Sequence, residues 1–448
     1  MAHVTDPVDR RPARTSSSHL PPELWDHVID ELSSNCPALR ACGLTHRAWV
    51  ASTRRHLFRA VKLNTIAGCE QFRELVLASS SVGTGIAQYV CDVTLTKVRL
   101  RLDRPDDPMV SNVPPLERTL SMLPNVSCLW LDDVDVKWWP ELPGTDPLDN
   151  GYPDRPLRSL FTLPRLRTLH VLSVVFDSIS DIVLLLAAFP QASSFQLRYL
   201  LPIHSGPGYW PPQLPENMRT DAQPVICIRD LTVAALTETA RLLSALKRPP
   251  FECALQKLHW GLMPHIFTRR ADEESLFMTI VREASSTLKE LEVHCMANSI
   301  VFAEMDLSLH SHLRMLRVAL LSTTDVESNT FPPTFSTLLS RTPDTLRALH
   351  LPIQLSVSSD GIPLWSFMDW PSVDETLALL HKRNPLLVVY LRLFCGLRLN
   401  ARLPEVVQPL MSRLSTALRA GLRVRVSLGG YTPGPAGESV PDEYYWLA

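Results

Sequence analysis

One short pattern restricts the architecture of this chain more than any other feature: leucine, two residues, leucine, one residue, an apolar residue. Its clearest copies start at Leu166, Leu255, Leu288, Leu313 and Leu346, and each carries polar residues in the intervening positions. Looser copies start at Val90, Val126, Ala192, Ile228 and Val388. The ten starts lie about 33 residues apart on average, which is a solenoid-repeat spacing. Between them fall stretches of helical periodicity, at 236–246, 274–284, 374–381 and 406–418. Strand alternating with helix at this period predicts stacked β-α units, none of which can bury its apolar face without its neighbours.

Strand geometry then names a surface. Successive residues point to opposite faces. With Leu169 and Val171 turned to the core, His170 turns outward. The same reasoning places Trp130, His170, His259, Glu292, Arg317, His350 and Arg392 on an open, concave strand face, flanked by Lys257 and Glu290. The row mixes charges and carries an aromatic side chain, as protein-binding surfaces do. Three longer insertions, 132–156, 201–224 and 356–371, hold Trp138, Trp139, Tyr209, Trp210, Trp365 and Trp370, residue types favoured as interface anchors.

A different pattern occupies the N-terminus. Residues 1–18 are polar and read as a disordered leader. Pro22 suits a first helical position, because proline fixes φ and lacks an N–H. Leu24, Val28 and Leu32 recur every four residues beside Trp25 and Ile29, giving one broad apolar face. Pro37 opens a second short helix that ends near Gly43. Thr45 is placed to cap a third, which holds Ala48, Trp49 and Leu57, and the alternation at 60–63 predicts a strand. Three short helices cannot cover so wide a face among themselves, so the spare surface points to another protein. Arg47, Arg54, Arg55 and Arg59 on the third helix open a second reading, nucleic-acid binding, which the acidic first helix opposes.

Residues 19–63 resemble an F-box, closest to the variety found in large fungal families. The likeness rests on Leu20-Pro21-x-Glu23-Leu24, Ile29 and Leu32, Leu44-x-x-Arg47-Ala48-Trp49 and His56-Leu57-Phe58-Arg59 before a strand. Thr45-His46 stands where the family usually has Val-Cys. The resemblance implies a Skp-type adaptor as partner, and through it cullin and RING subunits. By position it assigns adaptor contacts to Leu20, Pro21, Leu24, Ile29, Leu32 and Leu44, with Trp49 mainly holding the helices together. The repeats at 64–428 in turn resemble an irregular leucine-rich-repeat array. The asparagine that family carries after each strand is missing (Val174, Met263, Met296, Leu321 and Gln354 stand there), so the turns must close in another way. The expected fold class is α/β: a short three-helix F-box, then a leucine-rich-repeat-like β-α solenoid, then a Gly/Pro-rich tail at 429–448.

Composition narrows the function further. The formal net charge is -2, from 44 basic and 46 acidic side chains, which disfavours a general phosphate binder. Nine scattered cysteines, without a Cys-x-x-Cys, read as small buried hydrophobes in a reducing compartment. No secretory signal, membrane-length apolar run or lipidation motif is visible, so the expected location is cytoplasmic or nuclear. There is no zincin, nucleophile-elbow or P-loop motif. His170, His259 and His350 share one strand position, but His170 and His259 lie three rungs apart, roughly 14 Å at ~4.8 Å per rung, too far to share an ion. No metal, cofactor or catalytic residue is therefore expected. The reading is a non-catalytic substrate-recognition subunit of a Skp-cullin-F-box ubiquitin ligase. The alternative is a leucine-rich-repeat interaction scaffold that does not promote degradation.

Overall fold

Each copy of the leucine pattern is a strand, and the strands pair in parallel into one open sheet. The computed structural model describes residues 21–81, 85–101, 113–137, 163–176, 179–202, 225–234, 239–261, 271–295, 299–320, 331–357, 363–364, 368–395, 403–430 and 444–447. Its strands are β1 (Ala60–Leu63), β2 (Asp92–Thr96), β3 (Arg99–Arg101), β4 (Cys128–Asp132), β5 (Asp135–Lys137), β6 (Thr168–Leu172), β7 (Val175–Phe176), β8 (Ser194–Arg198) and β9 (Leu201–Pro202). They continue with β10 (Ile226–Ala234), β11 (Phe251–Gly261), β12 (Glu290–Cys295), β13 (Met315–Leu320), β14 (Ala348–Val357), β15 (Pro363–Leu364), β16 (Val388–Cys395), β17 (Arg423–Gly430) and β18 (Tyr444–Leu447).

The main sheet runs β1-β2-β4-β6-β8-β10-β11-β12-β13-β14-β16-β17-β18, with β15 pairing at β14. The order follows the chain and the sheet does not close, so the architecture is a mixed α/β, solenoid-like stack. Only the last pair of that path, β17 with β18, is antiparallel. The end of the tail therefore supplies the outer edge strand.

The inward residues of neighbouring strands stack in register. Leu169 lies beside Phe195, and Leu258, Leu291 and Leu316 continue one row. Leu169, Phe195, Leu291 and Leu316 are fully buried. Covering such a side chain is worth about 1.5–3 kcal/mol, and each row joins its neighbours into one continuous core.

Helices lie between strands as the periodicity predicts, at Thr239–Leu246, Ala271–Glu283, Trp370–Arg383 and, in two pieces, Leu403–Arg413 and Ser415–Arg419. The sequence reading missed Ile66–Ser81, Val113–Leu120, Ile179–Ala187, Val301–Glu304 and Thr334–Ser340. Ile179–Ala187 is apolar on nearly every side and so shows no one-sided period. Helices of neighbouring repeats are also tied by polar contacts. The buried Asp374 carboxylate accepts from Thr416 N at 2.9 Å and Ala417 N at 2.8 Å, capping Ser415–Arg419 from the helix alongside.

Four of the turns close without an asparagine, while Met263, Met296 and Leu321 lie outside the described residues. After β2, β4, β6 and β8 the next residue is left-handed: Lys97, Asp133, Ser173 and Tyr199, with φ between 52° and 57°. Each donates its N–H to the last carbonyl of the following main-sheet strand: Lys97 to Asp132 (3.2 Å), Asp133 to Leu172 (3.1 Å), Ser173 to Arg198 (3.0 Å) and Tyr199 to Ala234 (3.1 Å). A buried apolar residue follows each (Val98, Val134, Val174, Leu200), and the chain then enters a second parallel sheet, β3-β5-β7-β9.

On the opposite side of the stack, Thr287 Oγ1 donates to Leu255 O at 2.7 Å and Thr345 Oγ1 to Leu313 O at 3.0 Å. Asn384 Nδ2 donates to Leu346 O in the same manner. Small polar side chains just before a strand thus satisfy a carbonyl of the repeat before it. The exposed Lys97 offers a clean test of the left-handed turn. Lys97→Val is expected to lower stability by about 1–2 kcal/mol in chemical denaturation, because a branched Cβ clashes at positive φ. Lys97→Gly should not lower it.

The N-terminal unit forms α1 (Pro22–Glu31), α2 (Cys36–Thr45) and, after a short 3₁₀ turn at Arg47–Trp49, α3 (Val50–Leu57). Thr45 does not cap the third helix; its hydroxyl donates back to Cys42 O, and His46 Nδ1 accepts from Ala48 N at 3.2 Å instead. A Cβ on Gly43 would meet Thr53 Oγ1 at 3.0 Å, so glycine is what lets α2 approach α3. β1 pairs with β2, and Arg59 O accepts from both Cys91 N and Asp92 N at 2.9 Å. The strand assigned with the helices is thus already the first rung of the array. The leader and, within the insertions, Trp138, Trp139, Tyr209, Trp210 and Trp365 lie outside the described residues. Trp370 is 6% exposed and belongs to the core.

Candidate functional site

Two surfaces carry the residues singled out from the sequence. The first is the helical unit. Ile29 and Leu39 are 1% and 0% exposed and form its own centre, while Trp25 and Trp49 pack with ring centroids 4.7 Å apart. Asp30 bridges α1 to α3 through Arg55 (2.6 Å) and His56 (2.7 Å), and those contacts, His56 first, hold its carboxyl below the usual range. Ser52 also bonds Asp26.

Outside this frame Leu24, Val28 and Leu44 stand 49%, 46% and 89% exposed. Of the assigned contacts, Pro21, Leu24 and Leu44 are exposed, and Leu32 and Trp49 are half-buried. Ile29 is corrected from a partner contact to a core residue, and Leu20 lies outside the described residues. Val28 belongs with Leu24 on one helical row and was absent from the assigned set. Of the four arginines named for the nucleic-acid reading, Arg55 on α3 pairs with Asp30 at 2.6 Å and Arg59, just past α3, lies 3.7 Å from Asp92.

The second surface is the face of the main sheet opposite the helices. One register row runs Trp130, His170, Gln196, Thr232, His259, Glu292, Arg317, His350, Tyr390 and Arg425. Six of the seven residues named from the sequence fall in it. Arg392 lies on the same face as expected but pairs with Pro352 and Ser427, two residues further along the strand, and Tyr390 holds the row position. The apolar run Leu386-Leu387-Val388-Val389-Tyr390-Leu391-Arg392-Leu393 fits the template in two registers two residues apart, and only the pairing with β14 selects one. Gln196 and Thr232 hold the same place in the loose copies at Ala192 and Ile228 and were not named, and Arg425 lies on a strand with no copy of the pattern.

Aromatic and charged groups interlock along the row. Trp130 and His170 stack at 3.6 Å between centroids, 3° from parallel, and His350 and Tyr390 stack at 4.4 Å and 4°. Lys257 and Glu290 form the flanking pair at 2.9 Å on adjacent strands, and their exposure makes it weak. At the centre Glu292 accepts from His294 Nε2 at 2.7 Å and faces His259 Nδ1 at 3.6 Å and Arg317 Nε at 3.3 Å. Burial alone would raise the Glu292 carboxyl, but the His294 bond and the positive groups outweigh it and hold it at about 2. Burial drives His259 the other way, down to about 4 against the pull of Glu292. The His170 and His350 rings are lowered too, burial being the main cause in both.

His259, Glu292 and His294 bring ligand-type atoms within 4.8 Å of one another. The sequence reading compared only histidines in equivalent positions and so passed over His294, which lies two residues beyond Glu292 on the same face. Two imidazoles and a carboxylate are a donor set that zinc accepts. Here the Arg317 guanidinium already sits on that carboxylate, and a fixed cation at this distance repels a divalent ion. The cluster is complete as a charge network.

Three thiols, Cys69, Cys128 and Cys253, are pushed up to about 11, burial being the main cause, and are unreactive. Cys36, by contrast with the sequence reading, is exposed. Among the described residues no helix is long and apolar enough to cross a membrane. No family model matches the chain, and no match among curated proteins was found.

Proposed function

We propose that this chain is the substrate-recognition subunit of a Skp-cullin-F-box ubiquitin ligase, with α1–α3 as an F-box and the stack as an irregular leucine-rich-repeat-like array. The observation that carries this reading is the exposure of Leu24 and Val28 on one row of α1, and of Leu44 at the end of α2, on a unit whose own core is built on Ile29 and Leu39. Large apolar side chains left together on a small unit mark a protein interface. The resemblance of 19–63 to an F-box names a Skp-type adaptor as the partner. The helix-free face would hold the target.

On this reading the chain performs no chemistry of its own. It holds a target lysine near a charged conjugating enzyme, which raises their effective concentration, while other subunits carry out the transfer.

Affinity purification with mass spectrometry tests the assignment. The full chain is expected to recover a Skp-type adaptor and a cullin. A variant lacking residues 1–58, which keeps β1 in the sheet, should recover neither while retaining target proteins. Recovery of the same adaptor by both would refute the assignment. Lifetimes of recovered targets that are unchanged by removing the chain would favour the scaffold reading instead.

A further inference from the structure

Most charges carried by the strands of the main sheet have a partner or stand in water. Asp92 faces Arg59 at 3.7 Å, Lys257 pairs with Glu290, and Arg317 lies on Glu292. Asp230, raised by burial, is drawn back by Lys257. Arg392 and Arg425 are engaged, each lying over a ring, Phe394 and Trp446. Lys62, Arg229, Glu252 and Arg423 are exposed, where water screens them. Two half-buried charges remain, Asp132 and Arg198, and among the described residues neither side chain has a hydrogen bond or an ion pair.

The register places these two level, with one residue between them. Asp132 pairs with Leu172 and Leu172 with Arg198, so the charges stand two strands and roughly 10 Å apart at ~4.8 Å per strand. Leu172 is half-buried. In the row two residues back, the exposed Trp130 is stacked on His170, which holds its ring in place. Polar atoms around the patch are left unmet. Thr96, level with Asp132, is 8% exposed and its hydroxyl has no partner; His170, also 8% exposed, has none at Nδ1, and Arg198 has none at Nε. Buried polar atoms are nearly always satisfied, so three unmet ones around one patch call for a partner from outside the fold. From its place Arg198 acts on both His170 and His259, adding to the lowering that burial imposes on the two rings.

We infer that the target meets this patch as an extended segment bearing one basic and one acidic side chain two residues apart, the base against Asp132 and the acid against Arg198, with an apolar contact on Leu172 and Trp130. The inference rests on the reading that the helix-free face holds the target, and names the chemistry of what it holds. Side chains on one side of an extended chain recur about every 7 Å, and long arginine and lysine stems span the remainder. A nucleic acid or a uniformly acidic tail would satisfy Arg198 and be repelled by Asp132; a uniformly basic tail would do the reverse. The stacked Trp130 is the kind of anchor that carries interface affinity. Both charges are half-buried, so they attract their counterparts more strongly than the exposed charges elsewhere on the face do.

The test uses the full chain and four immobilised degenerate peptide libraries, fixed at two positions two residues apart: one lysine and one glutamate in either order, two lysines, two glutamates, or two glutamines. The unaltered chain is expected to be retained at least ~5-fold better by the mixed library than by each of the others. Asp132→Asn should abolish the preference over the two-glutamate library, and Arg198→Gln the preference over the two-lysine library. Neither should lower the melting temperature, because neither side chain has a partner to lose. Equal retention by all four libraries would overturn the inference, as would preference for a library of one charge sign, preferences that survive both substitutions, or a melting temperature that falls with either. Adaptor recovery depends on residues 1–58 and is read separately, so a result against this patch leaves the adaptor assignment in place, and loss of the adaptor leaves the patch.

Discussion

A full-length chain carrying Leu24→Asp and Leu44→Lys is expected to bind a Skp-type adaptor at least ~100-fold more weakly while melting as the unaltered chain does. Interface anchors cost about 2 kcal/mol or more each when lost, and tenfold in affinity corresponds to about 1.4 kcal/mol. Both side chains stand in the open, at 49% and 89%, so the fold loses little packing with either. The charges are chosen to suit their places: Leu24 lies in the first turn of α1, where an acid is favourable, and Leu44 in the last turn of α2, where a base is. Ile29→Asp serves as the contrast. At 1% exposure it should unfold the helical unit, and any loss of adaptor there would reflect that collapse. Calorimetry with purified adaptor and thermal melting of each variant separate the two cases. Adaptor affinity that survives the Leu24/Leu44 change would remove the interface from this face.

Acid should weaken the array in two stages, both traceable to the centre of the open face. Burial lowers the His259 ring from 6.5 to about 4 against the pull of Glu292 on β12, with His294 on β12, Arg198 on β8 and Arg317 on β13 adding to the lowering. Between those pH values the unfolded chain binds a proton that the folded chain refuses, so stability falls as pH falls from about 6.5 to 4. The shift corresponds to about 3 kcal/mol at about 1.36 kcal/mol per unit. Glu292, lowered from 4.5 to about 2, contributes stability that is present above pH 4.5 and is lost as pH falls toward 2, again about 3 kcal/mol. The two groups attract each other, so the total is less than the two figures together. His170 and His350, also lowered, act in the same direction as His259.

Urea unfolding at pH 7, 5.5 and 4 measures the first stage, and Glu292→Gln should remove most of the second while costing roughly 2–3 kcal/mol at pH 7. Stability that stays flat from pH 7 to 4 would contradict the buried, neutral state of these rings. Replacement of Glu292 is therefore a stability experiment as much as a binding one. The side chain is 19% exposed and holds three partners across strands β11, β12 and β13.

Much of the stack was legible because its signal is local and repeated. The six-residue pattern at Leu288 needs only alternation to say that Leu291 and Val293 face inward and Glu292 outward, and the register confirms each. The same rule found Trp130, His170 and Arg317. It failed at 386–393, where continuous hydrophobicity offers two phases, and it had no means of finding Ile179–Ala187, whose sequence is apolar on nearly every side. The apolar face of α1 shows the limit in another form. A period of four groups Leu24, Val28 and Ile29 as one broad face, and only packing against α3 divides it into an inner residue and two outer ones.

The strand-helix alternation and the inward leucines were determined by the amino-acid order alone, because each depends on neighbours within a few residues. The tertiary structure decided everything that joins distant repeats. It brought Glu292 between His259 and Arg317, closed four of the turns through left-handed residues bonded to the next strand, and set Asp132 level with Arg198. Those contacts depend on hydrogen-bond register between strands roughly 25 to 40 residues apart, and no local period carries that information.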